Sequence, residues 1–314
     1  MTADGPSAPR TGEVVRTWRS EWDATAARVG DRARARWLCE EASGAFGDEF
    51  RDVLDDEPTQ RMMAHLDAML ARYAAGEPLQ YVLGHWSFRR LDLMVDRRVL
   101  IPRPETELLA GLAVDALRDL IAAESRVVTC VDLGTGSGAI GLSVALELPR
   151  GRAEVWLTDA SADALDVARA NAAGLGVSGN RVRLAHGDWW DALPGDLRGS
   201  LDLVVSNPPY VALDDPDVES SVRDWEPSTA VWSGPEGLEA HRAIVGAAGD
   251  WLRPGGWLML EIGSGQGDVV RRLMTSHGLR EVEVNLIGSY HVAQVFGEAM
   301  AAQGGGSIIN IGSL

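Results

Sequence analysis

The sequence predicts an α/β fold, a doubly wound and mostly parallel sheet preceded by a small all-helical N-terminal domain. Three observations carry this. From Val127 onward, short apolar runs alternate with helical stretches, the pattern of strands joined by crossover helices. A glycine-rich turn, Gly134-Thr135-Gly136-Ser137-Gly138, follows the first of those runs and opens a helix. Upstream, Glu13 to about Ala75 reads as helical throughout.

Residues 1–12 are rich in Pro, Gly, Ser and Ala and are expected to be disordered. Residues 13–76 form the helical domain. Its clearest helix spans Thr59 to Ala75, with Pro58 at its start and Gly76 just past its end. Met62, Met63, Leu66, Met69, Leu70 and Tyr73 make one apolar stripe on it, which reads as packing. Residues 77–101 are a connector, in which Phe88, Leu91, Leu93 and Val95 suit a short hairpin. The main domain is expected over 102–284. It starts with Ile101-Pro102-Arg103-Pro104-Glu105-Thr106-Glu107, an extended entry that forms a lip over a pocket. Thr106 or Glu105 caps the helix that follows, Leu108 to Ala122. Strands are expected at 127–133, 153–158, 181–185, 201–206 and 256–262. Helices are expected at 138–148, 161–174, 237–252 and 266–276.

The bulk numbers exclude several function classes. A net charge of -17 argues against holding nucleic acid by its phosphates. Cys39 and Cys130 lie far apart, which gives neither a disulfide framework nor a metal spacing. The six histidines are scattered, so no metal site is expected. No apolar run reaches membrane-spanning length and the N-terminus lacks an apolar signal core, so a cytoplasmic chain is expected.

The chemistry centres on Asn207-Pro208-Pro209-Tyr210. Two prolines end the strand Leu201 to Ser206 abruptly, because neither can donate to a sheet ladder. They leave an amide, rigid carbonyls and a ring at a strand's carboxyl end, where open α/β sheets bind ligands. A planar NH2 group suits this stretch: the Asn207 oxygen and the Pro208 carbonyl each accept one hydrogen, and Tyr210 stacks on the flat group.

The glycine turn serves a cosubstrate. Gly136-Ser137-Gly138-Ala139-Ile140-Gly141 fits the dinucleotide fingerprint, and no Lys-Ser/Thr follows to make a P-loop. Asp159, ending the second strand, suits ribose hydroxyls, with capping of the next helix as its competing role. After the third strand, Asp188 offers an acceptor and Trp189 a stacking face for adenine, while Trp190 reads equally as core. NAD and S-adenosylmethionine are both served by these features. The fourth strand separates them. It offers acceptors and a ring but no strong base, which suits methyl transfer to an amide or amine nitrogen better than hydride transfer.

Together with Gly76-Glu77-Pro78-Leu79-Gln80-Tyr81 and Asp132-Leu133 ahead of the glycine turn, these motifs resemble the HemK-type peptide-chain release factor N5-glutamine methyltransferases over roughly 13–284. The Asn-Pro-Pro-Tyr stretch alone is shared with N6-adenine DNA methyltransferases; the proline-rich entry and the connector narrow the match. The resemblance implies a class I S-adenosylmethionine-dependent methyltransferase domain, a helical substrate-binding domain, no metal, and as partner the Gly-Gly-Gln loop of a release factor. By matching position, Gly134, Thr135, Gly136, Ser137 and Gly138 would hold the donor's methionine part. Asp159 would bind its ribose, and Asp188 and Trp189 would lie by its adenine. Asn207 would face donor and substrate alike, and Pro208, Pro209 and Tyr210 would hold the glutamine amide. Competing readings are a ribosomal-protein glutamine, an adenine base, or a scaffold without activity. A monomer is expected. Residues 285–314 depart from the family and resemble a fragment of a short-chain dehydrogenase, in which Ser307 to Ile311 suit a substitute last strand.

Overall fold

A computed structural model describes residues 16–213, 215–287, 292–294 and 307–312. The expected disordered tail 1–12 lies outside the described residues, as does most of 285–314. The chain divides into two units, Met1–Leu83 and Gly84–Leu314.

The first unit holds α1 (Trp18–Val29), α2 (Arg32–Ser43), α3 (Asp48–Asp52), α4 (Gln60–Ala74) and α5 (Leu79–Leu83). Short polar residues cap three of these helices: Thr17 in a capping box, Asp31 by accepting from the Ala33 and Arg34 N–H groups, and Thr59 by accepting from the Met62 N–H. The apolar stripe of α4 is packing. Leu66, Met69 and Leu70 are buried with Trp18, Leu38 and Phe50, while Met62, Met63 and Tyr73 flank the same core. The sequence placed a connector from residue 77, but α5 belongs to this unit. Leu79 and Val82 bury in its core, and the Arg72 guanidinium donates to the Tyr81 and Val82 carbonyls while pairing with Glu77.

The second unit opens with a hairpin of β1 (His85–Phe88) and β2 (Leu91–Met94), which buries Phe88, Leu91 and Leu93 as expected. Next come α6 (Thr106–Glu124), β3 (Val128–Leu133), α7 (Ala139–Glu147), β4 (Ala153–Asp159), α8 (Ala162–Gly174), β5 (Val182–His186) and β6 (Leu201–Ser206). They are followed by α9 (Ser220–Trp225), α10 (Ser228–Val231), α11 (Glu239–Trp251), β7 (Leu252–Gly263), α12 (Gly267–Ser276), β8 (Glu283–Ile287), β9 (Val292–Gln294) and β10 (Ser307–Gly312).

Among the described residues these strands form one sheet in the order β5-β4-β3-β6-β7-β10-β8-β9. All neighbours are parallel except those involving β9. Helices on both faces account for strands that are apolar without alternation, such as the fully buried β6. Asp202 is the exception within it. Its carboxylate is held by Arg126 and Arg253 and accepts from the Thr129 N–H at 2.8 Å, so a buried charge is fully partnered.

Two expected boundaries move. Strand β7 starts at Leu252, four residues before the expected 256, and pairs with β6 across an irregularity between Leu201 and Leu203. Helix α6 starts at Thr106. Glu105 holds the N-cap position without a side-chain capping bond, and the Thr106 hydroxyl bonds elsewhere, so neither side chain caps as expected.

Candidate active site

The chain runs outward from β3 to β4 and β5, then returns to place β6 on the other side of β3. Loops leaving β3 and β6 therefore diverge, and a crevice opens at their carboxyl ends. A cleft of about 330 Å3 sits there. Its walls bring together most of the residues expected from sequence: Gly134, Thr135, Gly136 and Ser137 after β3, Asp159 at the end of β4, Asp188 and Trp189 after β5, and Asn207 and Pro209 after β6. The entry segment forms part of the same wall through Leu100, Pro102 and Thr106. Burial of the Glu226 carboxylate against Arg103 and the Ile101 N–H fixes that segment.

The glycine turn is held from several sides. Gly134 has φ +69°, and a Cβ there would come within 3.5 Å of the Trp189 ring. The Thr135 N–H donates to the Thr158 carbonyl at 2.8 Å. Asp159 holds both sides of its surroundings: one oxygen accepts from the Gly136 N–H at 2.9 Å, the other from the Ser161 N–H at 2.8 Å. Ser161, not Asp159, caps α8. Burial raises the Asp159 pKa. Trp189 lies in the left-handed region at φ +43°, a costly conformation for a bulky residue, and lines the cleft. Trp190 is core, stacked on Trp251 with ring centres 5.6 Å apart.

Three expected site residues are not on the cleft wall. Gly138 takes the N-cap of α7 at φ +89° and packs toward Leu142 and Leu157. Pro208 is buried. The Tyr210 ring packs with Val211, Val218, Val222 and Val231 and reaches Glu261 with its hydroxyl at 3.5 Å, so the expected stacking on a flat ligand is not what this geometry offers. The ring lies among apolar neighbours because the loop after β6 needs a core of its own; burial and the Glu261 charge push its pKa up.

Sequence reasoning missed four residues. Asp132 is buried at the end of β3. One of its oxygens accepts from the Thr135 hydroxyl at 2.6 Å and the Gly141 N–H at 2.9 Å; the other has no hydrogen-bond partner. Burial raises its pKa to about 6. Asn171 on α8 bridges Met94 and the Ser137 carbonyl, tying the hairpin to the glycine turn. Thr106 and Glu261 lie behind Asn207. The Asn207 amide nitrogen donates to the Thr106 hydroxyl at 3.1 Å, and that hydroxyl donates to the Glu261 carboxylate at 2.8 Å. The signal for Asp132 was its place before the glycines. Thr106 stands out in sequence only as a helix cap in the proline-rich entry, and Asn171 and Glu261 sit in ordinary-looking helix and strand positions.

Among the described residues, no group of three or more His, Cys, Asp or Glu could hold a metal ion, and no helix is long and apolar enough to cross a membrane.

Several known proteins are similar to this chain. Residues 113–222 match the family model "Methyltransferase small domain", and residues 24–84 match "PrmC N-terminal domain". A release factor glutamine methyltransferase of Burkholderia pseudomallei is 39% identical over 287 residues, covering 90% of this chain and 94% of that protein. One of Xylella fastidiosa is 45% identical over 212 residues, covering 68% of this chain and 73% of its own. A solved ribosomal protein L11 methylase from Lactobacillus delbrueckii subsp. bulgaricus aligns over 60% of this chain and 75% of its own, at 17% identity and a TM-score of 0.42. Near-full-length identity of this order places the protein in the release factor glutamine methyltransferase family.

Proposed function

We propose that this protein transfers the methyl group of S-adenosylmethionine to the side-chain amide nitrogen (N5) of the glutamine in the Gly-Gly-Gln motif of a peptide-chain release factor. One observation carries the reading. Asn207, an amide acceptor at the end of β6, shares a single cleft with the glycine turn and Asp159. A translation factor as substrate puts the reaction in the cytoplasm.

The cleft's residues fit the donor. Asp132 keeps one buried carboxylate oxygen without a partner, and an ammonium group entering the cleft would supply one. The Gly134 to Ser137 turn would hold the methionine part, Asp159 the ribose, and Trp189 with Asp188 the adenine. When bound, S-adenosylmethionine supplies an electrophilic methyl on a positively charged sulfur.

An amide nitrogen is a poor nucleophile because its lone pair is delocalised into the carbonyl. The Asn207 Oδ1 accepts one N–H bond of the substrate amide, which orients the nitrogen and enriches it in electron density. The N–C bond forms as the C–S bond breaks, and that bond's electron pair leaves with sulfur. The nitrogen's surplus proton passes to solvent. Holding the nitrogen in line with the methyl supplies most of the acceleration.

Mass spectrometry of the Gly-Gly-Gln peptide after incubation of release factor, enzyme and donor tests this. A gain of roughly 14 Da on the glutamine is expected, a CH3 in place of a hydrogen. Donor binding with an unmodified glutamine would refute the substrate assignment.

A further inference from the structure

We propose that Thr106 and Glu261 are positioning residues that fix which way round the Asn207 amide stands, and so make Asn207 an acceptor toward the substrate. This rests on the amide-transfer reading above. An ionised carboxylate accepts hydrogen bonds and donates none, and Glu261 accepts from the Thr106 and Tyr210 hydroxyls. Glu261 is fully buried on β7, and its Oε2 lies 2.8 Å from the Thr106 hydroxyl. The single proton of that hydroxyl is therefore committed to Glu261. Toward Asn207 the hydroxyl has only lone pairs left, so it faces the NH2 end of the Asn207 amide, at 3.1 Å. The Asn207 oxygen is left for the cleft that this residue lines. Reversing the amide would set its oxygen against a hydroxyl with no proton to give, and would offer the substrate NH2 a donor in place of an acceptor.

The polarity thus runs one way through three residues brought together by the N-terminus of α6 and the carboxyl ends of β6 and β7. Glu261 is itself well anchored. Its backbone carbonyl meets the His241 imidazole at 2.9 Å, and burial lowers that imidazole's pKa to about 4, so it is neutral and donates. The other carboxylate oxygen meets the Tyr210 hydroxyl at the long limit of 3.5 Å. One carboxylate therefore supports both ends of Asn207-Pro208-Pro209-Tyr210. A helix-start threonine whose only task was stapling α6 to β7 would need no partner on Asn207.

The test uses Thr106→Val, which keeps the shape and removes the hydroxyl, Thr106→Ser, which keeps the hydroxyl, and Glu261→Gln. For Thr106→Val we expect kcat for glutamine methylation to fall roughly 100-fold, the scale of a misplaced reacting group, with the donor Kd within about 3-fold of wild type. Thr106→Ser restores kcat to within about 5-fold of wild type. Glu261→Gln, whose amide can donate as well as accept, loosens the polarity and lowers kcat at unchanged donor Kd; it carries the test if Thr106→Val does not fold. A folded Thr106→Val or Glu261→Gln with wild-type kcat overturns the proposal. So does a Ser variant no better than the Val variant, or losses of kcat and donor affinity in equal proportion.

A second readout needs no turnover. The Asn207 side-chain NH2 resonances, identified by their disappearance in Asn207→Asp, should exchange with solvent slowly in wild type and Thr106→Ser and faster in Thr106→Val. Equal exchange in wild type and Thr106→Val overturns the proposal. If wild-type enzyme leaves the glutamine unmethylated, the substrate reading falls, and the exchange rates still decide the amide's orientation.

Discussion

At Asp132, one carboxylate oxygen accepts two hydrogen bonds and the other stands buried without a partner. Burial lifts its pKa to about 6, against an ordinary value near 3.9. The sign follows from linkage. A folded-state pKa raised above the unfolded one contributes stability below the unfolded value, and that contribution fades as pH climbs through about 6. A cationic donor prefers the ionised carboxylate, so its affinity should run the opposite way, rising through the same window. Between pH 5 and 7 the donor's own amino and carboxyl groups keep constant charge. Calorimetry should therefore show its Kd weakening roughly tenfold from pH 7 to pH 5. A flat profile, or one unchanged in Asp132→Asn, would remove Asp132 from donor binding. Asp159→Ala deletes the acceptor for the Gly136 N–H together with the proposed ribose contact, and should weaken donor binding by roughly 10- to 100-fold. Asn207→Ala should behave oppositely, losing roughly 100-fold or more in kcat while donor Kd stays within about 3-fold; comparable loss of both in a folded mutant would place Asn207 outside the transfer step. The residues legible in the sequence are those whose signal is local. Asn207 is marked by the two prolines after it, and Asp159 by its distance from the glycines. Thr106 and Glu261 are 155 positions apart, and nothing near either one announces the other.

The element that joins site to scaffold is the turn from β3 into α7. Its glycines look alike in sequence but differ in the structure. Gly134, Thr135, Gly136 and Ser137 face the cleft, whereas Gly138 starts the helix with a left-handed backbone, and a Cβ there would come within 2.7 Å of Leu142. Gly138→Ala thus combines backbone strain with overpacking, and should cost about 2–4 kcal/mol of stability. Urea melts read this directly, and an unchanged midpoint would show that the turn relaxes around the methyl. A run of glycines speaks for a tight turn near a ligand, but which of them face the ligand depends on how the turn is rotated, and that is settled by tertiary contacts such as Asn171 to Ser137. Boundaries were readable wherever the sequence changed character sharply. Strand β6 ends where the prolines begin, and helix α8 starts at the Ser161 cap. They were misread where a helix or strand includes residues that usually interrupt one. Strand β7 already contains Pro254, Gly255 and Gly256, because the irregular pairing beside Leu201 accommodates them.

At the scale of the whole molecule, function and sheet completion lie on different strands. The cleft is built from the ends of β3, β4, β5 and β6, while β10 enters the sheet between β7 and β8. The sequence marked Ser307 to Ile311 as a substitute strand without saying which neighbours it would take. The structure inserts Ser307–Gly312 parallel to β7 along six registered pairs, from Ser307 beside Leu258 to Gly312 beside Gly263, and pairs it with β8 on its other side. Position within a sheet is set by which edge remains open after the earlier strands have paired, a non-local property that a short apolar run does not encode. Removing residues 288–314 would strip β7 of this ladder and leave a long apolar edge beside β6. For a domain of this size each kcal/mol lost lowers Tm by roughly 2–4 °C. Losing a strand bonded on both sides costs well above about 1 kcal/mol, so a drop of more than about 5 °C is expected. Donor Kd should stay within about 3-fold, since the glycine turn, Asp132 and Asp159 rest on strands the deletion leaves paired. Calorimetric melting and donor titration of the truncated chain check both halves: an unchanged Tm would mean that β10 adds nothing to the sheet's stability, and a lost donor site in a chain that still melts cooperatively would mean that the cleft depends on the far side of the sheet.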